Sequence, residues 1–558
     1  MKKLILSWMT FIMLSLTMNA QEMLRVGDKK YVVADIKNIE VINVRASLAD
    51  ELARHSEYSI FSEALEKTGL ADTISAWNKD KYYDVKNNTY PADFQNSRLY
   101  YPTVNYIKFT VFAVDDETFR TLGVTDFNSL KAKCVEWYGG ASEWYDYPGK
   151  GSETVSTGED YEYTYNVVNM FVRYHILKAG MRYDDLVLNG NRMGNYYWNF
   201  AFGGEPYNYY ETLLPHTIMK LWQPLYHNTG NATNIWINRY VANNTLTDQI
   251  GLFGSDEMHQ LIDAGALVDS TKSDIKAING YIHNVSKPLV YSAQVAHGVL
   301  NERLRIDVSD MLYELSNNGL RYVTYDDISK KYGCEGVRCI FNNDYFDYLS
   351  VKGDSGEVVF HGNHSTWRAW NAELMQVVSE KDVEVFLRVP PVPTGEYELR
   401  TSYAPSSLGW ESVQAYIGTE PNMDSMMKLG SEYSTMLDSY ANIGFVSAFE
   451  LTDYGVASDS VMRTNGYMRM PASFSRGQNN SIKEPVTTPQ TLLDNVSGCV
   501  RYEDLVTLRK ILGTVSLQQD KEYWLGFKLT NGLSFWLDFL ELVPTSVINN
   551  TTYTEDWY

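Results

Sequence analysis

The residues best suited to recognition chemistry lie between Asn191 and Tyr210, NRMGNYYWNFAFGGEPYNYY, where eight of twenty side chains are aromatic. Sugars are bound by such mixtures. An aromatic face covers the apolar C–H side of a pyranose, amides and carboxylates take its hydroxyls, and Tyr or Trp does this with little loss of side-chain freedom. Tyr196, Tyr197, Trp198, Asn199, Glu205, Tyr207 and Tyr209 are the candidate ligand contacts, with Trp410 and Tyr467 as a second group on loops further along the chain. The competing expectation for each ring is that it packs on its own domain.

Reactive chemistry is harder to find. His175 follows Val167, Val168, Met170, Phe171 and Tyr174 on a helical pattern and has no second histidine at i+4, so it reads as a core imidazole bonded to backbone rather than a metal ligand or base. Cys334 and Cys339 are spaced for a local disulfide. A zinc site would need further ligands, of which His361 and His364 are the nearest. Cys134 falls on the apolar stripe of a helix, where a thiol behaves as a small hydrophobe. Gly353-Asp354-Ser355-Gly356 looks like a serine-nucleophile loop, but no His and Asp stand upstream in a matching pattern, and a polar turn is expected there. The chain has no P-loop, dinucleotide glycine pattern, H-E-x-x-H or EF-hand loop. No cofactor and no metal are expected.

The elements that must position these residues follow from periodicity. Ile60, Phe61, Ala64 and Leu65 share a helical face between Ser56 and Gly69, and Phe127, Leu130, Cys134, Trp137 and Tyr138 share another between the cap Asp126 and Gly139. Lys108 to Val114 is a β-branched and aromatic run leading through Asp115 into a helix start. The helix carrying His175 should end near Lys178 and Gly180. Later in the chain the period drops to two: Val383, Val385, Leu387 and Val389, then Tyr397, Leu399, Thr401 and Tyr403, then Tyr523, Leu525, Phe527 and Leu529, then Leu533, Phe535, Leu537 and Phe539. Such strands, with turn residues between them, predict a β-sandwich.

Lys2 and Lys3 followed by the apolar run Leu4 to Leu16 and a short polar stretch to Ala20 predict a cleaved export signal. It has no cysteine for a lipid anchor. The full chain of 558 residues carries 48 basic and 69 acidic side chains, a net −21; losing the two signal lysines takes the mature form to −21 − 2 = −23. That field repels phosphate backbones and anionic headgroups, which argues against nucleic acid as a partner, and no later run is long enough to make an integral membrane protein with spanning helices.

The first half resembles the fasciclin family, of the type found in Bacteroidetes. Four short motifs in order carry the likeness: Tyr58-Ser59-Ile60-Phe61, Thr110-Val111-Phe112-Ala113 before Asp116 and Phe119, Tyr174-His175-Ile176, and Asn279-Gly280-Tyr281-Ile282-His283. The resemblance implies a compact α+β unit used in adhesion, lengthened here by insertions at 80–106, 139–165 and 189–240. The ending Phe535 to Pro544 is similar to the last strand of galactose-binding-like jelly rolls. The expected fold class is thus α+β, a fasciclin-like domain with insertions followed by an all-β jelly-roll or sandwich. The expected division is 1–20 signal, 21–56 extension, 57–293 fasciclin-like, 294–379 connection, 380–544 sandwich and 545–558 tail, with separate cores in the two large segments. The expected function is a non-catalytic cell-envelope protein that adheres to a glycan or surface protein. A glycoside-processing enzyme with carboxylates scattered in sequence, or a structural surface-assembly subunit, are the alternatives.

Overall fold

The computed structural model describes residues 23–26, 29–32, 46–77, 105–187, 207–223, 234–241, 261–321, 337–341, 345–353, 356–362, 373–436, 442–445, 456–469, 475–476, 500–501 and 508–549. Residues 1–45 form one unit, in which Met23–Val26 and Lys29–Val32 pair antiparallel. Residues 46–558 form a second.

The second unit begins as α+β. Phe109–Ala113 is buried at every position, as a strand covered on both faces must be, and it pairs in parallel with Gly280–Asn284. A parallel pair needs a long crossover. Here it includes the helices Asp116–Thr121, Phe127–Tyr138 and Val167–Tyr174. Ile275–Ala277 and Ile176–Leu177 complete this four-stranded sheet, and Tyr207–Glu211, Ile218–Trp222, Ile235–Ile237 and Ala266–Val268 make another.

The four motifs converge on this core. Asp116 accepts hydrogen bonds from the Ile60 N–H at 3.1 Å and the Ser59 hydroxyl at 2.5 Å, tying the start of one helix to the start of another. Asn279 accepts from the Leu48 N–H at 3.0 Å and donates to the carbonyls of Ile74 and Ala76 at 2.6 and 2.7 Å. Gly280 has φ 147°, and a Cβ there would lie 1.8 Å from the Phe109 carbonyl oxygen, so only glycine lets the parallel strands meet. The Val167–Tyr174 helix ends earlier than its pattern suggests, because Ile176–Leu177 is drawn into the sheet beside Thr110 and Val111.

The remainder is a β-sandwich of antiparallel strands. One five-stranded sheet runs Leu304–Asp307, Phe539–Pro544, Gly395–Tyr403, Leu508–Leu517, Tyr467–Met468; another runs Leu349–Lys352, Val383–Val389, Tyr523–Gly532, Trp410–Gly418, Met427–Tyr433. A four-stranded sheet joins Val337–Phe341, Glu357–Gly362, Leu374–Val378 and Ser534–Leu537. Five of these strands come from the segment expected to be a connection, so the sheets draw on residues from Leu304 onward. One hydrophobic cluster reaches from Leu48 to Leu542 within this unit.

Cys134 is fully buried, and burial pushes its thiol well above the ordinary range, as its place on the helix stripe predicts. Cys339 is buried in the Val337–Phe341 strand, and Cys334, His364, Asp354 and Ser355 lie outside the described residues. His361 bonds to the Gln376 side chain at 2.7 Å.

Candidate functional site

Of the candidate contacts, Tyr196, Tyr197, Trp198, Asn199 and Glu205 lie outside the described residues. Tyr207 opens the strand Tyr207–Glu211. The other three sit inside the fold. Tyr209 is 2% exposed and donates its hydroxyl to Glu302 at 2.5 Å, and Glu302 also receives Lys220 Nζ at 2.7 Å. Trp410 is fully enclosed at the head of its strand, and Tyr467 packs edge-on against Tyr403 at 5.0 Å with Lys510 Nζ 4.4 Å from its ring. Strand pairing explains these placements. Trp410 pairs with Gly532 and Tyr467 with Lys510, which turns both rings inward from positions that read as loops.

His175 is where its helical face predicts. Its Nδ1 donates to the Phe171 carbonyl at 2.8 Å, and its Nε2 accepts the Leu289 N–H at 3.0 Å. These two bonds fix the neutral tautomer, and burial lowers the pKa to about 3. The ring also contacts Phe171 and Phe61, with centroids at 4.4 and 5.4 Å. It bonds a carbonyl in the last helical turn and does no exposed chemistry.

The charged cluster that local spacing does not show lies where the two halves meet. Glu211, at the end of Tyr207–Glu211, receives Lys178 Nζ and an Arg388 guanidinium nitrogen, each at 2.8 Å. Lys178 also donates to the Tyr348 hydroxyl at 2.8 Å, and Arg388 lies over that ring at 4.2 Å. Burial pushes the Glu211 carboxyl up, but Lys178 and Arg388 outweigh it and hold the group at about 2. Lys178 and Tyr348 are 170 positions apart, and Glu211 and Arg388 are 177 apart. The cavity these residues line with Asp310 and Tyr313 offers about 30 Å³ of free space, enough for a water or two and far below a small-molecule site. Asp310 is itself engaged by Arg321 and Asn208, each at 2.6 Å.

Among the described residues no group of three or more His, Cys, Asp or Glu side chains is placed to hold a metal ion. No helix among them is long and apolar enough to cross a membrane.

No family model matches the chain, and no curated protein matches it in sequence. Among solved structures it is similar to a carbohydrate-binding module of the β-sandwich superfamily, at 12% identity and a TM-score of 0.16, over 35% of this chain and about half (55%) of that one. It is also similar to a FAS1 domain pair from the insect cell adhesion molecule Fasciclin I, at 10% identity and a TM-score of 0.19, over 59% of this chain and 92% of that one. Both are distant likenesses.

Proposed function

We propose that this is an exported, non-catalytic cell-envelope protein that adheres through glycan contacts. The state of its carboxylates carries the reading. A glycosidase needs a carboxyl kept protonated beside its substrate, facing a second carboxylate across a cleft. In the cavity at Glu211 and the groove at Asp263 the acids are instead paired with cations: Glu211 with Lys178 and Arg388, Asp263 with Lys287. The carboxyls that burial pushes up, Glu373 and Asp307, are enclosed, with Glu373 tied to Arg321 at 2.6 Å. A lowered, ion-paired carboxylate accepts hydrogen bonds from hydroxyls well and donates protons poorly, which suits binding.

In this reading the aromatic stretch Tyr196 to Tyr207 supplies one contact surface. A single stacked ring contributes about 1–2 kcal/mol, so one site binds weakly and adhesion relies on avidity. A glycan array on the mature chain should show selective binding, and Trp198→Ala should weaken it roughly tenfold without loss of fold. A blank array, or hydrolysis of the bound glycan, defeats the proposal.

A further inference from the structure

An open groove in the first half has features that neither the aromatic stretch nor the motifs account for. It offers about 440 Å³ of free space, within the range of about 300–1,000 Å³ usual for small-ligand sites. Trp137, Pro288 and Val290 form its apolar wall, and Asp263, Ser292 and Gln294 its polar side.

Each part is held before any ligand arrives. Trp137 sits in the last turn of Phe127–Tyr138 and stacks on Phe171, 5.5 Å between centroids and 28° between planes, so its half-buried ring is held in place where it lines the groove. The Lys287–Ser292 loop is pinned by the Leu289 N–H to His175 and by the Tyr291 N–H to the Tyr138 hydroxyl, both at 3.0 Å. Gly265 has φ 78°, and a Cβ there would lie 2.1 Å from the Ile237 carbonyl, which fixes the turn after Asp263.

The carboxylate of Asp263 is half used. Its Oδ1 accepts Lys287 Nζ at 2.7 Å and the Gly265 N–H at 2.8 Å, whereas its Oδ2 has only a long 3.4 Å contact from the exposed Gln294 amide. That oxygen can accept a shorter, charge-assisted bond from a ligand O–H or N–H. With Glu136 at the rim and Lys287 already committed, the groove favours a neutral ligand over an anionic one.

We infer that this groove is a second glycan site, in which a neutral pyranose lays its C–H face on Trp137 and donates a hydroxyl or N-acetyl N–H to Asp263 Oδ2. The inference rests on the glycan-binding reading but names different residues, so the two can fail separately. Titration calorimetry of the mature chain with cellobiose and with chitobiose should detect weak binding of at least one. Asp263→Asn should lower that affinity roughly fivefold, and Trp137→Ala roughly tenfold. Because Trp137→Ala also removes a ring from the core, Trp137→Leu and Gln294→Ala accompany it, and each variant's circular dichroism and melting temperature must match the wild type for its titration to count. Binding that survives Asp263→Asn and Gln294→Ala undiminished overturns the groove site and leaves the glycan reading standing. Absence of binding to both sugars also overturns it, and a blank array alongside that result removes the wider reading too.

Discussion

Replacing His175 tests the centre of the first half. His175→Ala removes a ring packed between Phe61 and Phe171 and strands two backbone groups, the Phe171 carbonyl and the Leu289 N–H. Truncating a buried ring of this size costs about 3–5 kcal/mol, and each orphaned polar group about 1–3 kcal/mol where water cannot reach it. These costs overlap, since a cavity that admits water spares the polar groups, so about 4 kcal/mol is the expected total. Urea unfolding followed by tryptophan fluorescence at pH 7 measures it. The pH dependence is a sharper test. The folded imidazole titrates near 3 and the unfolded one near 6.5, so the unfolded state binds the proton first. The group's stabilisation is complete above pH 6.5 and is lost as pH falls toward 3, by about 1.4 kcal/mol per unit, or about 2 kcal/mol between pH 6.5 and 5. His175→Gln should lack that part of the slope. A cost below about 1 kcal/mol for His175→Ala, or an unchanged slope in His175→Gln, refutes the buried neutral imidazole.

The junction yields further tests. Glu211→Gln leaves Lys178 and Arg388 facing each other without their carboxylate and should cost about 3–5 kcal/mol in the same urea assay; a loss under about 1 kcal/mol refutes the reading of a dry ion pair. Because Glu211 is held near 2 against 4.5 when unfolded, its contribution is present above pH 4.5 and is lost as pH falls toward 2, so wild-type acid unfolding should steepen below pH 4.5 and that of Glu211→Gln should not. Glu541 meets Arg305, Arg400 and Arg509 in the sandwich, all fully buried, and Glu541→Gln should prevent accumulation of soluble folded protein; a normal melting temperature counts against that network. A chain of residues 21–293 lacks Tyr348 and Arg388, and should aggregate or melt well below the full protein; an equal melting temperature would mean that the two halves hold separate cores.

The sandwich strands were legible where their interior is apolar. Val383–Val389 and Tyr523–Gly532 form where their residues predict, and pair from Val383 opposite Leu529 to Val389 opposite Tyr523. Leu304–Asp307 was not legible, because a strand containing Arg305 and Asp307 reads as a polar loop. It is buried at all four positions, since Arg305 sits directly opposite Glu541 in register and the charges answer each other across the sheet. The same blindness hid the junction cluster: Lys178, Glu211, Tyr348 and Arg388 become neighbours only when strands from both halves come together. Aromatic residue type leaves the opposite ambiguity. It marks residues with large faces to bury but does not say whether a ligand or the chain itself buries them, and for Tyr209, Trp410 and Tyr467 the chain does. Trp137 drew attention only as one residue of a helix stripe. Its groove needs Asp263, brought close by a sheet 126 positions further on.

Many contacts that cross between the halves are polar. Besides the Glu211 cluster, Gln519 donates to the Tyr291 hydroxyl at 2.6 Å and to the His216 carbonyl at 3.0 Å, Thr394 donates to Asp146 at 2.6 Å, and the Gly180 N–H donates to Asn317 at 2.9 Å. A buried ion pair returns little net stability, because both charges give up water, but it tolerates few geometries. Bonds of this kind therefore set the orientation of one half on the other more than they set the depth of the energy well, while the shared apolar core supplies the depth. A single variant at the junction should thus lower stability without altering the groove at Trp137, whose own supports, Phe171, His175 and Tyr138, all belong to the first half. Disaccharide titration of folded Glu211→Gln at pH 7 checks that independence, and a changed affinity there would mean that the groove takes its shape from the sandwich as well.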